Sequence, residues 1–315
     1  MSGLDEFGEI ARLFRPLTRG EPGAFDLKDD AAVLPSRKGH DIVVTKDAIV
    51  EGVHFPMGEA PDLVARKLVR VNLSDLAAKG AEPFAAFLAV AWPRGMGDRE
   101  RERFAMGLAA DLEAFGVSLM GGDTVSTSGP FTTSLTAMGW VPEGRMVRRA
   151  GARPGDRLLV SGTIGDGGLG LAAVRGEVAD PDGQLAFRYR LPEPRLDLRE
   201  TLRRIATAAA DVSDGLVADA RHIAEASGVR IVIDLDKLPL SGGAATWLEA
   251  QPDIPRALLR LSSGGDDYEI VCTAPVGLRR PAGFTAIGEV IEGQGVEVRA
   301  AGMVIDAGQG GWTHG

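Results

Sequence analysis

At 315 residues the chain is long enough for two domains, and its 44% hydrophobic content suffices for a sizeable core, as in an ordinary soluble globular protein. Its 44 Asp and Glu against 35 Lys and Arg give a formal charge of -9, which argues against a general affinity for nucleic acid or anionic membrane. The lone cysteine, Cys272, excludes an intramolecular disulfide, and the opening Met1-Ser2-Gly3-Leu4-Asp5-Glu6 lacks the basic start and apolar core of a signal peptide, so a cytoplasmic protein is expected.

Phe7, Ile10, Phe14 and Leu17 recur at helical spacing and predict an amphipathic helix stopping near Gly20 and Pro22. Lys28-Asp29-Asp30-Ala31 leads into an expected short strand over 32–34. The β-branched run Ile42-Val43-Val44-Thr45 predicts a second strand, with Asp47 just beyond its end. Glu51-Gly52-Val53-His54-Phe55-Pro56 reads as a loop. Its histidine is a packed or surface residue as readily as a functional one, and no His-x-x-x-His or Cys-x-x-Cys spacing supports zinc.

A buried helix follows, with Leu68, Val71, Leu76 and Ala77 as its apolar stripe and Asn72 and Asp75 one turn apart at its edge. Residues 84–91 read as a buried strand, and the apolar run to Trp92 is too short to span a bilayer. Phe104, Leu108, Leu112 and Phe115 mark a helix behind it, and residues 118–120 a short strand delivering Gly121-Gly122-Asp123-Thr124. Two glycines ahead of Asp123 suit close approach of a ligand or, equally, a tight turn. A further strand is expected over 132–140. Arg145, Arg148, Arg149 and Arg153 then form the most basic segment, either a solvated linker or a place where one arginine meets a phosphate.

Pro and Gly punctuation near residue 150 sets an expected boundary between domains at 1–150 and 151–315. A strand over 157–161 precedes Gly165-Asp166-Gly167-Gly168-Leu169-Gly170, which matches G-x-G-x-x-G. The short helix after it and the polar stretch 176–184 argue against a dinucleotide site and for a glycine-rich strand-to-helix turn. Pro192 to Pro194 connect to a charged helix over 195–205. A buried segment, 208–212, delivers Asp211, Ser213 and Asp214 to the start of a helix over 216–226, where Ser and Asp serve as caps or as phosphate and metal ligands. Strands are expected over 231–235 and 268–272, the latter entered through Gly264-Gly265-Asp266-Asp267.

Carboxylates thus recur in turn-like settings at Asp29-Asp30, Asp47, Asp75, Asp123, Asp211, Asp214 and Asp266-Asp267. Gathered in one cleft they would repel unless a hard cation neutralised them, so a magnesium-dependent phosphate site is the leading expectation.

These motifs, in this order from about residue 28 to the tail, resemble the thiamine-monophosphate kinases, in the superfamily that includes aminoimidazole ribonucleotide synthetase. The residues carrying the resemblance are Lys28 to Leu34, Asp47 with Glu51-Gly52-Val53-His54-Phe55, Asn72 to Ala78, Gly121 to Thr124, Arg149 to Asp156, Asp211 to Leu216 and Gly264 to Glu269. The resemblance implies two α/β (α+β) domains with mixed sheets and helices packed on them, a homodimer formed through the first domain, and a cleft between the domains. It implies transfer of the ATP γ-phosphoryl group to thiamine monophosphate. By the same likeness Asp30, Asp47, Asp75, Asp123, Asp211 and Asp214, with Thr45, would hold several Mg2+ ions. Gly122, Asp123, Arg149 and Ser213 would meet ATP as co-substrate, and His54, Asp266 and Trp312 the thiamine phosphate.

Lys46 departs from the family, where a second threonine is more usual, and its ammonium would compete with a cation there. Asp266 stands where glutamate is more usual. No G-x-x-x-x-G-K-[ST] sequence is present, so a P-loop kinase is not expected. The alternatives are an ATP-dependent synthetase of the superfamily that activates an amide or formyl oxygen, and a catalytically silent nucleotide-binding regulator.

Overall fold

The computed structural model of the chain describes residues 6–279 and 281–308. They fall into two compact units, Met1–Leu76 with Ala81–Gly144, and Ala77–Gly80 with Arg145–Gly315. Among the described residues no helix is long and apolar enough to cross a membrane.

The first unit opens with a broken helix in place of the continuous one its periodicity predicts. A turn of α-helix, α1 (Glu6–Glu9), passes into a π-helical stretch (Ile10–Phe14) and a 3-10 stretch (Arg15–Thr18) that ends at Arg19 with φ 54. Pro16 explains the break, since it lacks an N–H and its ring clashes with the preceding turn. Leu13, Phe14 and Leu17 are nonetheless buried. Residues 32–34 form no strand, because the N–H of Val33 bonds to Gly23 O at 2.9 Å and Pro35 has no donor to offer a neighbouring strand.

Four strands follow: β1 (His40–Val50), β2 (Glu82–Pro93), β3 (Ser118–Thr127) and β4 (Thr132–Pro142), with α2 (Pro61–Ala78) and α3 (Asp98–Ala114) between them. The order is β1-β4-β2-β3, with β2 and β3 parallel and the other pairs antiparallel. One face packs on helices, with Val43, Ile49, Val90 and Thr133 buried there, and Trp92 meets Phe104 edge-on and stacks on Phe131. Asp111 of α3, almost fully buried, is satisfied by Arg66 at 3.0 Å and Arg70 at 2.6 Å from α2. The other face is covered only in part, by residues 24–34 against Ala85, Phe87 and Met138. Ile42 and Val44 of β1 and Val125 of β3 are exposed.

The second unit is built on a seven-stranded mixed sheet. Its elements in chain order are β5 (Asp156–Ser161), α4 (Asp166–Val174), α5 (Gln184–Arg190), α6 (Arg199–Ile205), β6 (Ala208–Asp211), α7 (Leu216–Ser227), β7 (Arg230–Asp234), α8 (Gly242–Glu249), α9 (Ile254–Ser262), β8 (Ile270–Pro275), β9 (Phe284–Ile291), β10 (Gly295–Ala300) and β11 (Met303–Ile305). Strand order is β11-β10-β7-β9-β5-β8-β6, with β7 and β10 parallel and the remaining pairs antiparallel. Alternation along each strand feeds two cores. Leu158, Val160, Ala210, Ile231 and Val271 pack with Leu216, Val217 and Ile223 of α7, while Leu159, Ala209, Ile270 and Cys272 pack with Leu202 and Ile205 of α6. The mixed sheets with helices packed on them are those expected, whereas α8, α9 and β9 to β11 are not among the expected elements.

Candidate active site

In the first unit the pleat decides which residues meet. Thr45 and Asp47 lie two apart on β1 and so share a face with Val43 and Ile49, turned to α2. The Thr45 hydroxyl donates to Asp75 Oδ2, and the Asp47 N–H donates to Asn72 Oδ1 at 3.2 Å. Asn72 is fixed in turn by its amide donating to Leu68 O at 2.9 Å. Burial, and after it the charge of Asp75, pushes the Asp47 carboxyl up to about 6. Two carboxylates this close repel each other when both are ionised. Asp47 stands inside β1 rather than beyond its end, because pairing with β4 continues to Val50.

Lys46, between them, points the other way. Its ammonium reaches Thr136 Oγ1 at 3.5 Å, across from it on β4, and so lies on the opposite face of the sheet from Asp47, where it was expected to compete with a cation.

Asp123 also lies on that opposite face. In successive pairs Asp123 faces Ala89, Ala89 faces Ser134, and Ser134 faces Ala48, the neighbour of Asp47 with the reverse orientation. Gly121-Gly122-Asp123-Thr124 therefore belongs to a strand and not to a turn. Gly122 is demanded by close approach, since a Cβ there would stand 2.1 Å from Leu88 O. Asp123, Gly122, Asp29 and Asp30 line one cavity of about 320 Å3 whose apolar walls include Phe14, Leu27, Leu119 and Met120. One copy of this unit thus holds its implied ligands in two groups. Asp30 and Asp123 sit at the β3 edge and Thr45, Asp47 and Asp75 at β1, three strand spacings or roughly 14 Å away.

His54 lies in the loop that follows β1. Its Nδ1 accepts the Val50 N–H at 3.1 Å and its carbonyl accepts Lys67 Nζ at 3.3 Å, which fixes the loop after β1. Glu51 closes that loop by accepting the Gly58 N–H at 2.8 Å.

In the second unit β6 ends at Asp211, buried, and Ser213 and Asp214 form the turn into α7. The residue that shapes this turn went unnoticed in the sequence. Asp219, buried in α7, accepts the N–H groups of Ser213 at 3.0 Å and Asp214 at 3.1 Å on Oδ2. Burial, then the charge of Asp214, pushes the Asp219 carboxyl up to about 7, while Arg149 pulls the other way and is thereby placed within electrostatic reach. Arg149 is exposed, on a segment tied down by Ala209 N–H to Arg148 O at 2.9 Å and by Ser227 Oγ, which accepts from Gly151 and Ala152 at 3.1 Å.

Gly264 to Glu269 runs beside that turn with its backbone bonded to it. Asp266 N–H reaches Ser213 O and Tyr268 N–H reaches Val212 O, each at 2.8 Å. Its residues alternate, with Asp267 and Glu269 buried and Asp266 and Tyr268 half-buried, yet it is no strand, because Gly265, Asp266 and Tyr268 have φ of 69, 59 and 52. β8 therefore begins at Ile270, two residues later than expected.

The buried carboxylates hold this strained course. Asp267 accepts the N–H groups of Gly165 and Gly167 at 2.9 Å, at the start of α4. Glu269 accepts from Ser161 Oγ at 2.6 Å, Arg188 at 2.9 Å and Arg195 at 2.7 Å. The Tyr268 hydroxyl donates to Asp266 Oδ1 at 3.0 Å. The glycine-rich turn gains a physical role here. A Cβ on Gly167 would stand 2.3 Å from the Asp266 carbonyl carbon, so its glycines seat this segment rather than a dinucleotide. Trp312 lies outside the described residues.

Comparison with known proteins places the whole chain in a family. Residues 28–141 match the family model of the AIR synthase related protein N-terminal domain, and residues 153–301 that of its C-terminal domain. The thiamine-monophosphate kinase of Caulobacter vibrioides is 56% identical over 98% of this chain and 91% of its own length. The chain belongs to the thiamine-monophosphate kinase family. A solved thiamine-monophosphate kinase from Stenotrophomonas maltophilia K279a, 37% identical, covers 96% of this chain and 98% of its own with a TM-score of 0.82. A structure described as AaThiL complexed with AMPPCP and TMP, 32% identical, covers 100% and 99% with a TM-score of 0.79. Kinship within the thiamine-monophosphate kinase family thus spans both units.

Proposed function

We propose that the chain is an ATP-dependent kinase that phosphorylates thiamine monophosphate to thiamine diphosphate. The observation that carries this reading is near full-length kinship with a thiamine-monophosphate kinase and with a protein solved in complex with AMPPCP and TMP. The donors fit Mg2+. Asp30, Thr45, Asp47, Asp75, Asp123, Asp211 and Asp214 offer hard oxygens, and the mutual repulsion of Asp47 and Asp75 is what a bound divalent ion relieves. Such ions neutralise phosphate charge and bridge the two anionic substrates.

The chain's own residues bind and orient. Gly122 and Asp123 meet the ATP phosphates from β3, Ser213 and Arg149 hold ATP oxygens, and Asp266 and His54 hold the thiamine phosphate. A phosphate oxygen is already ionised near neutral pH, so no side chain has to remove a proton from the acceptor.

A homodimer is part of the same reading. Asp123 faces the exposed side of the first sheet together with the apolar residues Ile42, Val44 and Val125, so pairing two such faces buries the patch and brings a second copy to the Asp30–Asp123 group. A cytoplasmic location agrees with the lone buried thiol of Cys272.

ADP release with thiamine monophosphate, thiamine and aminoimidazole precursors as separate acceptors tests the reading. Turnover is expected with thiamine monophosphate alone. Release with an aminoimidazole precursor would transfer the chain to the synthetases, and release with none would leave a silent binder.

A further inference from the structure

The helix that follows the Asp211 to Asp214 turn carries two more residues on the same side. Asp219 and His222 are three apart on α7, hence neighbours on one face, and Asp214 precedes them at the helix start. One ligand atom from each of the three lies within 4.8 Å of the others. A divalent ion with bonds of about 2.0–2.2 Å to oxygen and imidazole nitrogen sets its ligands roughly 3–4 Å apart, so slight closure suffices.

The second observation is the state of Asp219. Oδ2 is engaged by the two N–H groups of the turn, whereas Oδ1, equally buried, has no hydrogen-bond partner. A buried carboxylate oxygen left unmatched beside a second carboxylate is costly, and a cation answers both deficits at once.

We propose that Asp214, Asp219 and His222 form a divalent-cation site of mixed carboxylate and imidazole donors. It rests on the kinase reading only for Asp214, already taken there as a ligand, and adds two residues that none of the sequence motifs assigned. The imidazole changes what the site selects. Mg2+ takes oxygen donors and holds its waters, while nitrogen with two carboxylates suits Mn2+ and its neighbours in the transition series. The site therefore takes a softer ion than the all-oxygen groups, at the turn that presents Ser213.

The test uses the full chain with Mn2+ as the probe, free of nucleotide and thiamine phosphate, so it does not depend on turnover. Electron spin-echo spectra should show modulation from a coordinated imidazole nitrogen, and H222Q should abolish it. In H222Q the dissociation constant for that ion should rise by about 10- to 100-fold, with loss of the preference for Mn2+ over Mg2+. His222 is partly exposed, so H222Q is expected to leave the fold intact, which circular dichroism checks. Absence of nitrogen modulation in the unmodified chain, or its persistence in H222Q, would overturn the proposal. Failure of the kinase reading would appear separately, as no ADP release or as release that does not depend on thiamine monophosphate.

Discussion

In the first unit the proposed ligands stand mainly on regular elements, Thr45 and Asp47 on β1, Asp75 on α2 and Asp123 on β3, with Asp30 in the loop before β1. In the second, Asp211 ends β6 and the rest stand on turns, Ser213 and Asp214 before α7 and Asp266 before β8. Regular elements place side chains by their own periodicity, and periodicity can separate as well as gather. The pleat brings Asp47 against Asp75 and turns Asp123 to the other face. Turns have no such rule, and the second unit imposes one with buried carboxylates. Asp219 shapes the turn holding Ser213 and Asp214, while Asp267 and Glu269 hold the left-handed course that presents Asp266. A substitution at the ligands of the first unit should therefore act on chemistry with little effect on folding, and one at the buried carboxylates of the second should act on stability first.

The largest effect is expected from D75N. It keeps shape and the hydrogen bond from Thr45 while removing the charge paired with Asp47, so ADP release should fall by orders of magnitude, with the unfolding midpoint nearly unchanged. Activity close to that of the unmodified chain at limiting Mg2+ would make Asp75 a purely structural acceptor, and the contrast between the units would lose its first half.

E269Q probes the other half. It leaves Arg188 and Arg195 without their shared buried carboxylate, and breaking such a pair costs about 3 kcal/mol, a fall in Tm of roughly 5–10 °C for a unit of this size. Differential scanning calorimetry would show it. A Tm within about 1 °C of the parent would mean that the left-handed segment holds its course without the clamp.

Legibility follows the same division. Asn72 and Asp75 could be paired from sequence because one helical turn separates them, and the expected strand at Ile42 to Thr45 was real. Lys46 and Asp47 hid its continuation by interrupting the apolar run, since only pairing with β4, some ninety residues on, carries the strand to Val50. Asp219 left no signal because it stands inside a helix, five residues past the aspartate it serves. Glu269 was seen as part of a motif, but its partners Ser161, Arg188 and Arg195 are brought to it by the tertiary fold alone. The opening helix failed because one proline outweighed four well-spaced apolar residues.

A pH series sharpens the role of Asp267. Burial pushes its carboxyl up to about 8, outweighing the N–H donors of Gly165 and Gly167, and thus above the roughly 4 of an unfolded aspartate. The folded state then keeps a proton that the unfolded chain releases. Stability from this group is whole below about pH 4 and is lost as pH rises through about 8. Urea midpoints should fall across that window, and D267N, which cannot ionise, should flatten the part of the slope due to this residue. An unaltered slope in D267N would show that the proton is held elsewhere.

The smallest effect is the most diagnostic, because it separates orientation from stability within one segment. Tyr268 stands at φ 52 beside Asp266, and its hydroxyl donates to Asp266 Oδ1 at 3.0 Å. Y268F deletes that donor and keeps the ring, so packing survives while the carboxylate gains freedom. If Asp266 holds the thiamine phosphate, KM for thiamine monophosphate should rise by roughly 3- to 10-fold, the range of one side-chain hydrogen bond, with KM for ATP and kcat nearly fixed. D266N should raise the same KM, and adding Y268F to it should do little more, since the hydroxyl then has no carboxylate to orient. A rise in D266N with none in Y268F would show that Asp266 is oriented by contacts other than the Tyr268 hydroxyl. A proportional loss for both substrates in Y268F would instead trace the effect to the left-handed segment as a whole.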